Sequence, residues 1–196
     1  MEIIKIKFTG ISPLMMHSER GANPLDPDVK ELKKISGKGK GKKTDEDYAE
    51  MARMDWQLGM YFDEKAGPYI PGINVRACVV AGGKMNKLGT SLQRGTTVLV
   101  EKIPLEYSGP RSMEKLWENS NYRDIRSVVV GQSRTMRCRP IFKEWSLTFD
   151  FYYDPSVIDK ENVLLSATNA GTFIGLGDFR PGKGNGTFGR FSVDVV

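Results

Sequence analysis

A chain of 196 residues and 21.9 kDa has the size of one domain, long enough to bury about 70% of its unfolded surface without a disulfide or metal staple. With 39% hydrophobic and 27% charged residues it is not disordered throughout, and no apolar stretch approaches the ~20 residues that a membrane-spanning helix requires. The 29 Lys and Arg against 24 Asp and Glu leave +5, a mild bias whose distribution says more than its size.

Ile4, Ile6 and Phe8 alternate with Lys5 and Lys7, which predicts an opening strand over 2–10 and lacks the apolar core of a signal peptide. Ser12-Pro13 ends it. Asp28–Ile35 fits a short helix, and Gly37–Lys43 reads as a mobile Gly/Lys linker. Thr44 and Asp47 form a capping box for a helix running to about Phe62, whose Met51, Met54 and Trp56 stripe is expected in the core. Pro71-Gly72 starts a second helix, over about 72–84, with Val75, Cys78, Val79 and the small Ala81-Gly82-Gly83 face. Thr97–Val100 and Ile103–Tyr107 read as strands, followed by an irregular, partly helical stretch to about Arg123. Ile125–Val130 and Arg134–Arg139 are the arms of a hairpin about Gly131-Gln132, within a basic segment over 125–143. Trp145, Leu147, Phe149, Phe151 and Tyr153 alternate with polar residues in the clearest strand. Asp159 caps a helix expected to turn Leu164, Ala167, Gly171 and Ile174 inward, and Phe191, Val193 and Val195 close the chain as a strand. This order predicts one α+β domain of ferredoxin-like (RRM-like) type, its sheet backed by two helices with one face open to a ligand. An insertion over 19–65 follows the first strand, and the last helix, loop and strand occupy 159–196.

The charges cluster. No Asp or Glu lies between Lys65 and Val100, yet Arg76, Lys84, Lys87 and Arg94 do; none lies between Ile125 and Lys143, where Arg126, Arg134, Arg137 and Arg139 occur. Lys38, Lys40, Lys42 and Lys43 form a third basic run. A solvated face interleaves signs, so acid-free basic tracts point to phosphate contact, unless they serve to block edge-to-edge pairing of strands. Cys78 and Cys138 stand far apart with only His17 beside them in the inventory, too little for a zinc site. Reduced, buried thiols in a cytoplasmic protein, with no metal and no cofactor, are the expectation.

The sharpest motif is the stretch from Gly175 to Phe191, with six glycines in seventeen residues and Arg180, Lys183 and Arg190 as its bases. Glycines let backbone N–H groups close on a phosphate, while a dinucleotide fingerprint is excluded because this loop follows a helix and opens a strand. The other reading is a long structural helix-to-strand loop. A glycine-rich loop in this place, ending in Gly189-Arg190-Phe191, resembles the signature of the RAMP superfamily (repeat-associated mysterious proteins) of CRISPR systems. Phe8–His17 is similar to that family's first strand and the glycine–leucine–threonine–proline–leucine turn behind it. Gly67–Arg76 resembles its proline–tyrosine–isoleucine–proline–glycine–serine–serine approach to the first helix, although Ile73-Asn74 replaces the two serines. In overall character the chain is closest to phage and prophage proteins of that type.

The resemblance implies a ferredoxin-like core, binding of single-stranded RNA or DNA, and assembly into a homo-oligomer or filament along the strand. It implies phosphate contacts by Arg76 and by the loop with Arg180, Lys183 and Arg190; charge alone adds Lys84, the hairpin arginines and the lysine run. The insertion and hairpin would be finger- and thumb-like parts. Phe179 and Phe188, flanked by glycines, are candidates to stack bases. Two alternatives stay open: a metal-independent endoribonuclease using His17 as general acid–base group, and a phage protein-interaction factor that mimics a CRISPR subunit, with a protein partner in a nucleoprotein complex.

Overall fold

The computed structural model describes every residue except Gln132, and of Lys40, Val130 and Ser133 the backbone alone. It is an α+β structure with six α-helices and three antiparallel sheets among the described residues. In chain order the strands are β1 (Glu2–Gly10), β2 (Leu14–Met15), β3 (Phe62–Asp63), β4 (Gly67–Pro71), β5 (Thr96–Thr97), β6 (Lys102–Pro104), β7 (Arg123–Val130), β8 (Ser133–Phe142), β9 (Ser146–Tyr153) and β10 (Phe191–Val195). The helices are α1 (Pro27–Ser36), α2 (Asp45–Gly59), α3 (Gly72–Gly83), α4 (Gly89–Gly95), α5 (Met113–Glu118) and α6 (Lys160–Asn169). The chain, expected as one domain, divides into two compact units: Met1–Met15 with Phe62–Gly109 and Phe142–Val196, and Met16–Tyr61 with Pro110–Ile141.

The larger unit holds a four-stranded antiparallel sheet in the order β10-β1-β9-β5. Alternation sets its faces. Ile4, Ile6 and Phe8 of β1 and Leu147, Phe149, Phe151 and Tyr153 of β9 are buried, and Phe8 stacks on Phe191 of β10 with ring centroids 4.0 Å apart. The helices α3 and α6 pack together through the small face formed by Gly82 and Gly83 against Ser166 and Ala170. The inward stripe of α6 differs from the expected one. Val163, Ser166, Ala167, Ala170 and Gly171 are buried while Leu164 and Ile174 are half-buried, because close approach to the glycines of α3 selects the smaller side chains. The helix continues as a π turn over Ala170–Ile174. The strand expected over Thr97–Val100 pairs only at Thr96 and Thr97, and the seven-residue α4 was not foreseen. A second sheet, β3-β4-β6, carries Asp63, which receives a 2.6 Å hydrogen bond from Lys102 Nζ.

The smaller unit joins the insertion and the hairpin segment, the expected finger- and thumb-like parts, in one core. Trp56 of α2 is buried, its indole N–H donates to the Tyr122 carbonyl at 2.8 Å, and its ring lies 5.3 Å from that of Trp117. The Arg123 guanidinium covers the other partner, 4.6 Å from the Trp117 ring. The capping box at Thr44 forms as the sequence demands, Thr44 Oγ1 accepting from the Asp47 N–H and Asp47 accepting from the Thr44 N–H. The stretch 37–43, expected to be a mobile linker, is tied down: Lys38 Nζ reaches Asp47 Oδ1 at 2.7 Å, Lys43 Nζ donates to the Lys38 carbonyl, and Lys40–Lys42 make one 3-10 turn. No helix among the described residues is long and apolar enough to cross a membrane.

Candidate nucleic-acid interface

The uncovered face of the four-stranded sheet is an unpromising platform for a polyanion. Lys5 stands opposite Asp150 and Lys7 opposite Asp194, so charges alternate in sign across neighbouring strands. Tyr152 is the aromatic residue aligned with them, opposite Ile3. The open sheet face expected to take a ligand therefore has the pattern of a solvated surface.

The loop from Gly175 to Arg190 is different. Its backbone is fastened to the exit of β1, with the Asp178 N–H donating to the Met15 carbonyl and the Gly189 N–H to the Pro13 carbonyl, each at 2.8 Å. The Leu176 N–H donates to the Gly189 carbonyl and closes the loop on itself. Several amides that could have formed an anion nest are thus spent on the fold. Gly189 has φ +70°, and a methyl group there would lie 1.8 Å from the Leu176 carbonyl oxygen, so this position requires glycine for close backbone packing. What the loop presents outward is side chains. Phe179 is 43% exposed and holds φ +52°, an uncommon conformation for an aromatic residue, with its ring 5.9 Å from that of half-buried Phe188. Lys183 and Arg190 are exposed and make no ion pair among the described residues. Arg180 is half-buried and donates to the Gly177 carbonyl, so its guanidinium is partly committed to the loop.

The remaining basic residues divide in the same way. Arg76 is half-buried and donates from its guanidinium to the Thr96 carbonyl (2.8 Å) and the Gln93 carbonyl (2.6 Å), tying α3 to α4 and β5. Lys84 is exposed at the end of α3. With Lys87, Gly89, Thr90 and Gln93 it lines a cavity. Of that group the sequence offers Lys84 as a candidate site residue. The absence of acids from 65 to 100 was the signal for Lys87, and nothing in the sequence points to Thr90 or Gln93.

In the hairpin, Arg126 lies directly opposite Arg137 and Asp124 opposite Arg139, on a half-buried face. Arg126 pairs with Asp124, and Arg137 reaches Asp55 Oδ1 at 3.1 Å while the Cys138 N–H donates to Asp55 Oδ2 at 3.0 Å. Of the hairpin arginines, Arg126 and Arg137 are thus held by carboxylates of the fold, and Arg139 is half-buried. Its outer surface carries Ile125, Val129 and Met136, each about 60% exposed or more, together with exposed Arg134. Period-two alternation brings this about: Arg126, Arg137 and Arg139 share one face of the hairpin, while Arg134 falls on the other with Ile125, Val129 and Met136. The hairpin tip at Gly131-Gln132 was expected as a turn; Gly131 has φ +61°, and Gln132 lies outside the described residues. Lys38 is paired with Asp47 of α2 and Lys43 donates to the Lys38 carbonyl, Lys42 is exposed, and the Lys40 side chain lies outside the described residues.

His17 is exposed, and its sequence neighbours are engaged elsewhere. Ser18 caps the Arg20 N–H, Glu19 accepts from Tyr61 at 3.0 Å, and Arg20 bridges Asp26 (2.7 Å) and Asp28 (2.6 Å). Burial alone would raise the Asp26 carboxyl, but the Arg20 guanidinium and the Asp28 N–H outweigh it and hold the group below its usual range. Burial pushes the Cys78 thiol up to about 12, against the opposing field of Arg180, and its Sγ meets the Gly175 carbonyl at 3.3 Å. Burial, reinforced by Asp55, raises Cys138 to about 11. Neither thiol supplies a thiolate near neutral pH. Among the described residues no three His, Cys, Asp or Glu side chains gather as a metal site. No protein-family model matches the chain, and no curated protein matches it.

Proposed function

We propose that this chain is a non-catalytic, cytoplasmic protein that binds single-stranded nucleic acid by its phosphate backbone and assembles along the strand. The ferredoxin-like reading of the larger unit is supported by its element order. The strands β1, β5, β9 and β10, with α3 after β1 and α6 after β9, lie in the sheet order fourth, first, third, second. The observation that carries the functional reading is the fastening of the loop 175–190 to Pro13 and Met15. Two of the three RAMP-like segments, distant in sequence, meet there by backbone hydrogen bonds, and the loop so fixed carries exposed Phe179 together with exposed Lys183 and Arg190, which make no ion pair among the described residues. An exposed aromatic ring and exposed cations carried on one loop are a combination that can grip a single strand, by stacking and by charge. The rival reading, a protein-interaction factor, draws its support from the apolar outer face of the hairpin.

Fluorescence polarisation with labelled single-stranded RNA, single-stranded DNA and duplex DNA, over about 50 to 200 mM salt, tests the reading. Binding to one or both single strands that weakens steeply with salt, without cleavage, is expected, and the stronger ligand fixes the sugar. Cleavage abolished by His17→Ala would move the assignment to the ribonuclease. Failure to bind any of the three would overturn the proposal in favour of a protein partner.

A further inference from the structure

We infer that the hollow at the C-terminal end of α3 is a phosphate-binding site, separate from the glycine-rich loop. The cavity measures about 280 Å³ and is lined by Lys84, Lys87, Gly89, Thr90 and Gln93. The lining residues carry two ammonium groups, a hydroxyl and a carboxamide, and include no carboxylate and no apolar side chain. Neither lysine makes an ion pair among the described residues, and the chain supplies no acid anywhere from 65 to 100. Two unneutralised cations sharing one concave surface repel each other, and a tetrahedral oxyanion between them removes that repulsion.

The backbone is shaped around these lysines. Lys87 has φ +61°, one of two non-glycine residues with positive φ among those described. It closes the 3-10 turn Lys84–Asn86 with its N–H donated to the Lys84 carbonyl, followed by the Leu88 N–H to the Gly83 carbonyl. Helix ends of this kind ordinarily place glycine or asparagine at the left-handed position; a lysine there puts a charge where backbone preference alone would not. The stem of Lys84 rests on Gly89, where an added methyl group would lie 2.7 Å from Lys84 Cγ. The bare backbone of Gly89 thus leaves room for the Lys84 stem beside the hollow that both residues line. The N-terminal end of α3, at Gly72, is about 18 Å away along the helix axis, so the hollow is a second anion site and not an extension of any phosphate contact there.

Amide chemical shifts of the full chain, followed during addition of inorganic phosphate with sodium chloride at matched ionic strength as control, test the inference. Saturable shifts confined to residues 84–93, absent with chloride, are expected. They should vanish in Lys87→Gly, a change the left-handed backbone favours and which therefore preserves the fold, and in Lys84→Gln. Gly89→Ala, which keeps both charges but displaces the Lys84 stem, should weaken binding several-fold. Unmoved amides in the wild type, or equal shifts in the two lysine variants, would overturn the site whatever the oligonucleotide experiment gives. Oligonucleotides with and without a 5′-phosphate then distinguish the source. Loss of affinity in Lys87→Gly for the phosphorylated strand alone assigns the site to a strand end, and equal loss for both assigns it to internal diesters.

Discussion

Gly189 shows how a single residue sets the character of the candidate site. With φ +70° and the Leu176 carbonyl oxygen 1.8 Å from where its Cβ would stand, it allows the two ends of the loop to lie back to back. Its N–H is bound to Pro13, so it contributes stiffness to the site and no donor to a ligand. Gly189→Ala should destabilise the protein by at least the ~1–3 kcal/mol typical of a strained backbone site, read as a lower urea midpoint at unchanged slope. Gly21→Ala, in ordinary backbone with nothing within 4 Å of the added methyl, should leave the midpoint in place and serves as the control. Equal effects of the two would mean that the loop relaxes freely and does not act as a rigid mount for Phe179.

Among the elements, α2 and the hairpin are joined by one carboxylate. Asp55 accepts from the Arg137 guanidinium with one oxygen and from the Cys138 N–H with the other. Asp55→Ala leaves a half-buried guanidinium without its counterion and a backbone donor without its acceptor, a loss of about 1–3 kcal/mol that thermal unfolding would register as a lower Tm. Arg126→Gln, which breaks the pair with Asp124 in the same strand, should cost under about 1 kcal/mol. The elements legible in the sequence are those with a local signal: the capping box of α2, the alternation of β1 and β9, and the Asp159 cap of α6, whose side chain accepts from the Asn162 N–H. The helix α4 was not legible because seven residues with glycine at both ends carry too little periodicity. The partnership of Asp55 with Cys138 spans 83 residues and depends on how two chain segments fold into one unit, which no local pattern encodes. The candidate site was legible in the same measure. The glycine-rich loop announced itself by composition, but the division of its glycines between packing and exposure is a tertiary property.

At the scale of the whole molecule, the count of 29 Lys and Arg misleads as a guide to binding, because many of these side chains are already answered within the fold. Arg20, Lys38, Lys102, Arg126 and Arg137 have carboxylate partners, and Arg76 and Arg180 are held by carbonyls. Counterions are released on binding only where a cation exchanges them for a nucleic-acid phosphate, so a side chain whose partner is a protein carboxylate adds little to the salt dependence. Lys183→Gln and Arg190→Gln should each flatten the plot of log affinity against log salt by about 0.7, the value for one phosphate contact on a single strand. Arg126→Gln and Arg137→Gln, measured below their melting temperatures, should leave that slope unchanged although each removes the same formal charge. Phe179→Ala should lower affinity by about 1–3 kcal/mol for a stacked base while keeping the wild-type slope, since stacking releases no counterion. If the hairpin variants flatten the slope and the loop variants do not, the strand runs over the hairpin, and its arginines must exchange Asp124 and Asp55 for phosphates on binding. Net charge changes equally in all four charge variants, so polarisation titrations at several salt concentrations separate a bound path from a general attraction.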